Sequence, residues 1–337
     1  MSAPMYRRLV SDGPLLFCGG PYSNLEATRA LLAAAASRRI PPERIVCTGD
    51  VVAYGADAKA TIDLVRQAGI HVVMGNCEEA LAQAATDCGC GFAPGSTCDR
   101  LSAAWFAHAQ SELGPTERTW MAALPRRLDV ELAPAGVTLA VVHGSLDAIN
   151  RFVFASTPAA IIAADLERCG TDGIVAGHCG LPFTEVVGGR LWHNPGAIGV
   201  PANDGTPRVW FSVIAPGPGY VEIEHVSLDY DHRAAAAKMR AVGLPEGYAD
   251  ALATGLWPSC DVLPPAEAAA RGVPLEAAVL RWKACPRGQR TSPAADVAST
   301  SWTRMTARVQ GPPPHDAQSG NEAPAENVSV WPQRQQP

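Results

Sequence analysis

IVCTGD, residues 45–50, is an apolar run that ends in Gly beside a side chain able to ligate a metal. The same design recurs as HVVMGN at 71–76, LAVVHG at 139–144 and GIVAGH at 173–178. Each sets a polar residue just past the C-terminal end of a buried strand, where α/β folds build their sites and where Gly lets the backbone turn sharply. The residues so placed are Asp50, Asn76, His143 and His178. Singly, each has a plainer role: Asp50 as a turn cap, Asn76 as the cap of the helix in EEALAQA, and a strand-end His as a structural group. Together they offer a carboxylate, an amide oxygen and two imidazoles. That mixed oxygen and nitrogen set suits one divalent transition metal (Mn, Fe, Zn, Ni or Co) better than Mg or Ca.

Outward from these segments, short apolar runs alternate with helix-like stretches from Pro14 to about Val226, the pattern of a layered α/β protein. Asn24–Arg38 opens on an N-cap residue and is rich in Ala and Leu, Ala58–Ala68 stops at Gly69, and Pro158–Arg168 is similar. Ser96–Leu124 reads as mostly helix, broken near Gly114-Pro115. Strands are expected at Leu15–Cys18, Arg44–Cys47, His71–Met74, Leu128–Leu132, Val137–Val142 and Gly173–Ala176. Thr184–Val187 with Arg190–His193, and Val209–Ile214 with Tyr220–His225, read as antiparallel pairs turning at Gly188-Gly189 and Pro216–Gly219. Two packed sheets flanked by helices use all of them. Beyond Asp229, helices are expected at Asp231–Val242 and Glu246–Thr254, followed by the Pro-rich LWPSCDVLPPAE, as a cap or partner surface. The expected organisation is a main domain over 1–228, a helical C-terminal extension over 229–285 packed on it, and a disordered tail over 286–337, rich in Pro, Ser, Gln, Thr and Ala.

At 337 residues, 47% hydrophobic and 18% charged, the chain can bury a sizeable core. A formal net charge of −6 without a dense Lys/Arg run excludes an extended nucleic-acid surface as an expectation. With no signal-peptide stretch and no long apolar segment, no membrane association and a cytoplasmic location are expected. Ten cysteines are many for that compartment, so metal binding, redox chemistry and simple burial stand as readings.

In order along the chain, GDVVAYGADAKATIDLVR (49–66), GNCEEAL (75–81), VVHGS (141–145), GHCGLPF (177–183) and NPGAIGVPANDGTPRVWFSVI (194–214) resemble the blocks of the calcineurin-like metallophosphoesterases. The likeness is to their small bacterial phosphodiesterase and dinucleoside-polyphosphatase-like branch and covers about Leu15 to Val226. It implies an α/β fold, a two-layer βαββ sandwich with flanking helices. It also implies two metal ions bridged by an Asp, which bind phosphate oxygens and activate water for in-line attack. On these positions Asp50 corresponds to the bridging carboxylate, and Asn76, His143 and His178 to the other ligands of one ion. Pro195, Gly196 and Gly199 read as loop geometry.

The half of the site that holds the other ion departs from the pattern. In GGPYSNLEA, Gly20 stands for the family's Asp and Tyr22 for its His, and Gly180 stands for the last His of the Gly-His-x-His block. These are the three non-bridging ligands of a single ion, so one ion is expected to have been lost as a unit. Cys77 stands where the family has the His that assists the leaving group or steadies the phosphate, and a thiol is a poor acid near neutral pH unless its surroundings shift it. Cys77 and Tyr22 are thus the positions assigned to catalysis beyond the ligands. Tyr22 either packs into the vacated volume or turns its hydroxyl to a bound phosphate. Cys18, Cys88, Cys90, Cys98 and Cys179 form, with Cys77, a possible thiol cluster, although C-x-C-x7-C lacks the paired C-x-x-C of common zinc sites. Two functions follow: a hydrolase of a small phosphodiester or phosphoanhydride, or a catalytically weak or inactive binding protein that keeps the fold.

Overall fold

The computed structural model describes residues 7–284, so the tail expected over 286–337 lies outside the described residues. Its strands are β1 (Arg7–Ser11), β2 (Leu15–Cys18), β3 (Ile45–Cys47), β4 (His71–Val72), β5 (Leu128–Leu132), β6 (Val137–Val141), β7 (Gly173–Val175), β8 (Pro182–Val187), β9 (Arg190–Pro195), β10 (Val209–Gly217), β11 (Tyr220–Leu228) and β12 (Ala278–Trp282). They form two sheets, β1-β5-β6-β7-β9-β8 and β12-β11-β10-β2-β3-β4.

The pleat explains the layering. Successive side chains of a strand face opposite ways, so Leu15 and Phe17 of β2 and Val46 of β3 join Leu139, Val141, Val175 and Leu191 of the other sheet in the core between the sheets. Leu16, Cys18, Ile45 and Cys47 face outward instead, under the helices Leu25–Ser37, Ala58–Ala68, His232–Ala241 and Glu246–Thr254. Leu16 and Ile45 are fully buried, each stabilising the fold by about 1.5–3 kcal/mol. The outer face of the first sheet is covered by the helix Ala159–Cys169 through Ile162 and Leu166. Because β2, β3 and β4 run parallel, as do β6, β7 and β9, the C-terminal strand ends of each sheet share one edge. These are the ends that carry Asp50, Asn76, His143 and His178.

The expected α/β sandwich with flanking helices is what forms. Two edge strands, β1 and β12, come in addition. The extension after Asp229 is therefore not purely helical: it returns as β12, pairing Trp282 with Val221. The strand expected to reach Met74 ends at Val72, because Met74 leaves the sheet to bond the Pro125 carbonyl. The long helical stretch breaks where expected, into Thr97–Glu112 and Pro115–Ala122. Among the described residues no helix is long and apolar enough to cross a membrane.

Candidate metal centre

The strand-end residues converge. His143 Nε2 lies 3.0 Å from Asn76 Oδ1, 3.1 Å from His178 Nδ1 and 3.2 Å from Asp50 Oδ2. Asp50, His143 and His178 each present a ligand atom within 4.8 Å of the others.

Their partners set which atoms face inward. His143 donates Nδ1–H to the Thr48 carbonyl at 2.6 Å, which leaves Nε2 of the neutral ring as a lone pair. Asn76 donates Nδ2–H to the Cys88 carbonyl at 2.9 Å, which turns its oxygen inward. His178 Nε2 is buried without a hydrogen-bond partner. At most one proton can serve the contacts that converge on His143 Nε2, whereas a cation serves all of them at once. The spacing agrees: with metal–ligand bonds of about 2.1 Å, neighbouring ligands at right angles sit about 3.0 Å apart and tetrahedral ones about 3.4 Å. The observed separations of 3.0–3.2 Å from His143 Nε2 fall within this span. The residues present therefore fit a metal ion.

The buried groups of the centre shift one another. Burial alone works against charging His143, but the charge and hydrogen bond of Asp50 outweigh it and raise the imidazole pKa. Burial likewise opposes ionisation of Asp50, and His143 overcomes it, so the carboxylate pKa is lowered. His178 is pushed down to about 3 by burial and then by His143, partly offset by Asp50. Two ligands also sit in the left-handed region, Asp50 at φ 55° and His178 at φ 62°, a conformation that costs a non-Gly residue about 1–3 kcal/mol and clusters at functional sites.

Glu78 escaped the sequence reading. Fully buried, it accepts N–H bonds from Asp50 at 2.8 Å, Gly75 at 2.9 Å and Val52 at 3.2 Å, tying the two ligand-bearing loops together. Burial, then the charge of Asp50, raises its pKa to about 7. Its signal was present as an acidic residue three positions after Gly75, placed to accept the N-cap N–H of the helix Asn76–Ala82. That helix is capped by Gly75, not by Asn76. A Cβ on Gly75 would stand 2.2 Å from Asp50 Oδ1, so the position admits no side chain.

The positions Gly20, Tyr22 and Gly180 lie close together. A Cβ added to Gly20 would lie 2.1–2.5 Å from three ring carbons of Tyr22, so the ring occupies the space a side chain at Gly20 would need. A Cβ on Gly180 would lie 3.6 Å from Trp257 and 3.9 Å from the Tyr22 hydroxyl. Tyr22 is held there by backbone bonds from its N–H to Asp50 O and from Gly55 N–H to its own carbonyl. Its pKa is raised well above the usual value by burial, then by Asp50. The loop after Asn194 packs against it: Gly199 N–H bonds the Gly20 carbonyl.

Cys77 is 1% exposed in the core under the helices; its thiol is pushed up by burial and then by Asp50. Asn76 Nδ2 lies 3.5 Å from Cys77 Sγ and 3.3 Å from Cys90 Sγ, and Cys90 is paired with Cys88. The remaining cysteines are elsewhere: Cys18 is beside Cys47, Cys179 accepts from Asn194 Nδ2 at 3.1 Å, and Cys98 is near Ser259. No cysteine belongs to the ligand group found among the described residues.

The profile of the calcineurin-like phosphoesterase superfamily domain matches residues 17–214, more than half of the chain and every residue of this centre. The chain belongs to that superfamily. Among solved structures, this superfamily member is similar to a metallophosphoesterase from Sphaerobacter thermophilus, at 24% identity and TM-score 0.56, over 73% of this chain and 100% of that one. It is also similar to the hypothetical protein PH1004 from Pyrococcus horikoshii OT3, at 15% identity and TM-score 0.59, over 74% and 100%. Both likenesses show the fold. No curated protein matches the chain.

Proposed function

We propose that this superfamily member is a metal-dependent hydrolase of a small phosphodiester or phosphoanhydride, using one ion held by Asp50, Asn76, His143 and His178. The observation that carries the proposal is the set of ligand atoms 3.0–3.2 Å from His143 Nε2, more than one proton can satisfy. A bound divalent ion supplies Lewis acidity toward a phosphoryl oxygen and lowers the pKa of water into the neutral range.

The chain's own residues do the rest. Thr48 fixes the His143 tautomer, Glu78 holds the Asp50 and Gly75 loops in register, and Asn76 is oriented through the Cys88 carbonyl. Cys77, buried and with a raised pKa, supplies no acid for the leaving oxygen, so the reaction suits a leaving group stable as an anion. The filled position beside Gly20 supports a second reading, a binding protein that keeps one ion without turnover.

Metal analysis of purified protein, paired with hydrolysis of bis(p-nitrophenyl) phosphate, separates the two readings. The hydrolase reading expects turnover that Asp50→Ala and His178→Ala each reduce at least a hundredfold along with metal content. Bound metal without turnover supports the binding protein, and turnover surviving both substitutions defeats the site assignment.

A further inference from the structure

A pocket of about 660 Å³, counting its open mouth, begins at His178, Cys179 and Gly180 and runs outward from the metal centre. One wall is Phe92 and Phe152, whose rings lie near-parallel at 6.3 Å, and Phe152 sits 4.1 Å from the His178 ring. The C-terminal extension contributes Tyr248, Trp257 and Val262 to the lining. Trp257 is pinned at both ends, its Nε1–H on the Pro201 carbonyl at 2.7 Å and its backbone N–H on Asn203 Oδ1 at 2.8 Å, so the indole is a fixed surface. Aromatic side chains make up much of the lining, and such a surface favours a flat ring.

Charge narrows the class further. Among the described residues no Lys, Arg, Asp or Glu lines the pocket. The ion is therefore the only cation the site would offer a phosphoryl group, with no Lys or Arg beside it in the lining to meet further negative charge. A phosphodiester carries one negative charge. A polyphosphate carries several, and the rest would be desolvated against aromatic rings without a partner, which is costly.

We infer that the substrate is a phosphodiester monoanion in which one ester group is an uncharged planar aromatic ring, seated among Phe92, Phe152 and Trp257. The inference rests on the hydrolase reading above and names its substrate class. In the reaction, water adds at phosphorus and releases a proton to solvent, and the bond from phosphorus to the aryl oxygen breaks, its electron pair leaving with that oxygen. The aryloxide needs no acid from the pocket and takes a proton from solvent. The products are a phosphomonoester and an aryl alcohol.

Calorimetric binding of diphenyl phosphate, diethyl phosphate and adenosine diphosphate to the Mn-loaded full chain tests this. Diphenyl phosphate is expected to bind at least tenfold tighter than diethyl phosphate, equivalent to about 1.4 kcal/mol, and tighter than the more highly charged nucleotide. Trp257→Leu and Phe92→Leu, made separately so that one misfolded variant does not decide the matter, are each expected to lower the ratio of diphenyl to diethyl binding severalfold. Equal binding of the two diesters, both lost in Asp50→Ala, overturns the pocket inference and leaves the hydrolase reading standing. Tightest binding by the nucleotide overturns the charge argument and with it the inference. Failure of both diesters to bind overturns the two readings together.

Discussion

Adding a methyl group at Gly20 tests whether the Tyr22 ring fills the space a side chain there would need. The new Cβ would lie 2.1, 2.3 and 2.5 Å from Tyr22 Cε1, Cζ and Cδ1, where ordinary carbon contacts are about 3.5–4.0 Å. The ring must therefore retreat by more than about 1 Å. It is 4% exposed and packs edge-on against Tyr54 at 5.0 Å, so little room exists. Gly20→Ala alone is expected to cost about 3 kcal/mol, the upper end for overpacking a core. Tyr22→Ala alone should cost about 3–5 kcal/mol. In the Tyr22→Ala background the clash disappears and Gly20→Ala should cost close to nothing, a coupling of about 2–3 kcal/mol between neighbouring sites. Urea denaturation of the four metal-free proteins measures each value. An identical cost of Gly20→Ala in both backgrounds refutes the account of the filled position.

Glu78→Gln leaves one oxygen where two accept backbone N–H groups, and should cost about 1–3 kcal/mol in urea denaturation and weaken metal binding tenfold to a hundredfold by calorimetry. Gly75→Ala should abolish metal binding, read by metal content, because its Cβ would meet Asp50 Oδ1 at 2.2 Å. A polar chain between the sheets gives a pH dependence: Ser212 bonds His193, and Thr184 links His193 to His225. Burial lowers both imidazoles, His225 from 6.5 to about 4. Since the unfolded chain takes up these protons first, the stability this pair confers is full above about pH 6.5 and is lost as pH falls toward 4, by about 3 kcal/mol for His225. His225→Gln should flatten the urea midpoint between pH 7 and 4.5 relative to wild type; an unchanged slope contradicts the linkage.

The parallel strands and the polar residues gathered at their ends were legible because each buried run stops at a Gly beside a polar residue, a purely local pattern. The edge strands were not. Arg7–Ser11 is largely exposed and Ala278–Trp282 follows a Pro-rich stretch, so neither shows the burial that marks a central strand. Gly20, Tyr22 and Gly180 were legible as departures from a family pattern, but what occupies the space around them was not, since it depends on a ring reaching back over two residues and on Trp257 from the far end of the chain. Glu78 was missed for a similar reason: its cap is local, whereas its bonds to Asp50 and Val52 span 28 and 26 residues. The aromatic pocket was hidden because its walls come from segments more than a hundred residues apart.

Titrating metal-free protein with Mn while following hydrolysis of bis(p-nitrophenyl) phosphate addresses the one-ion centre most directly. The rate should rise linearly and level off at one equivalent per chain, with no rise in Asp50→Ala. A rate that keeps climbing to two equivalents, or an ion bound at one equivalent with no hydrolysis at all, contradicts it.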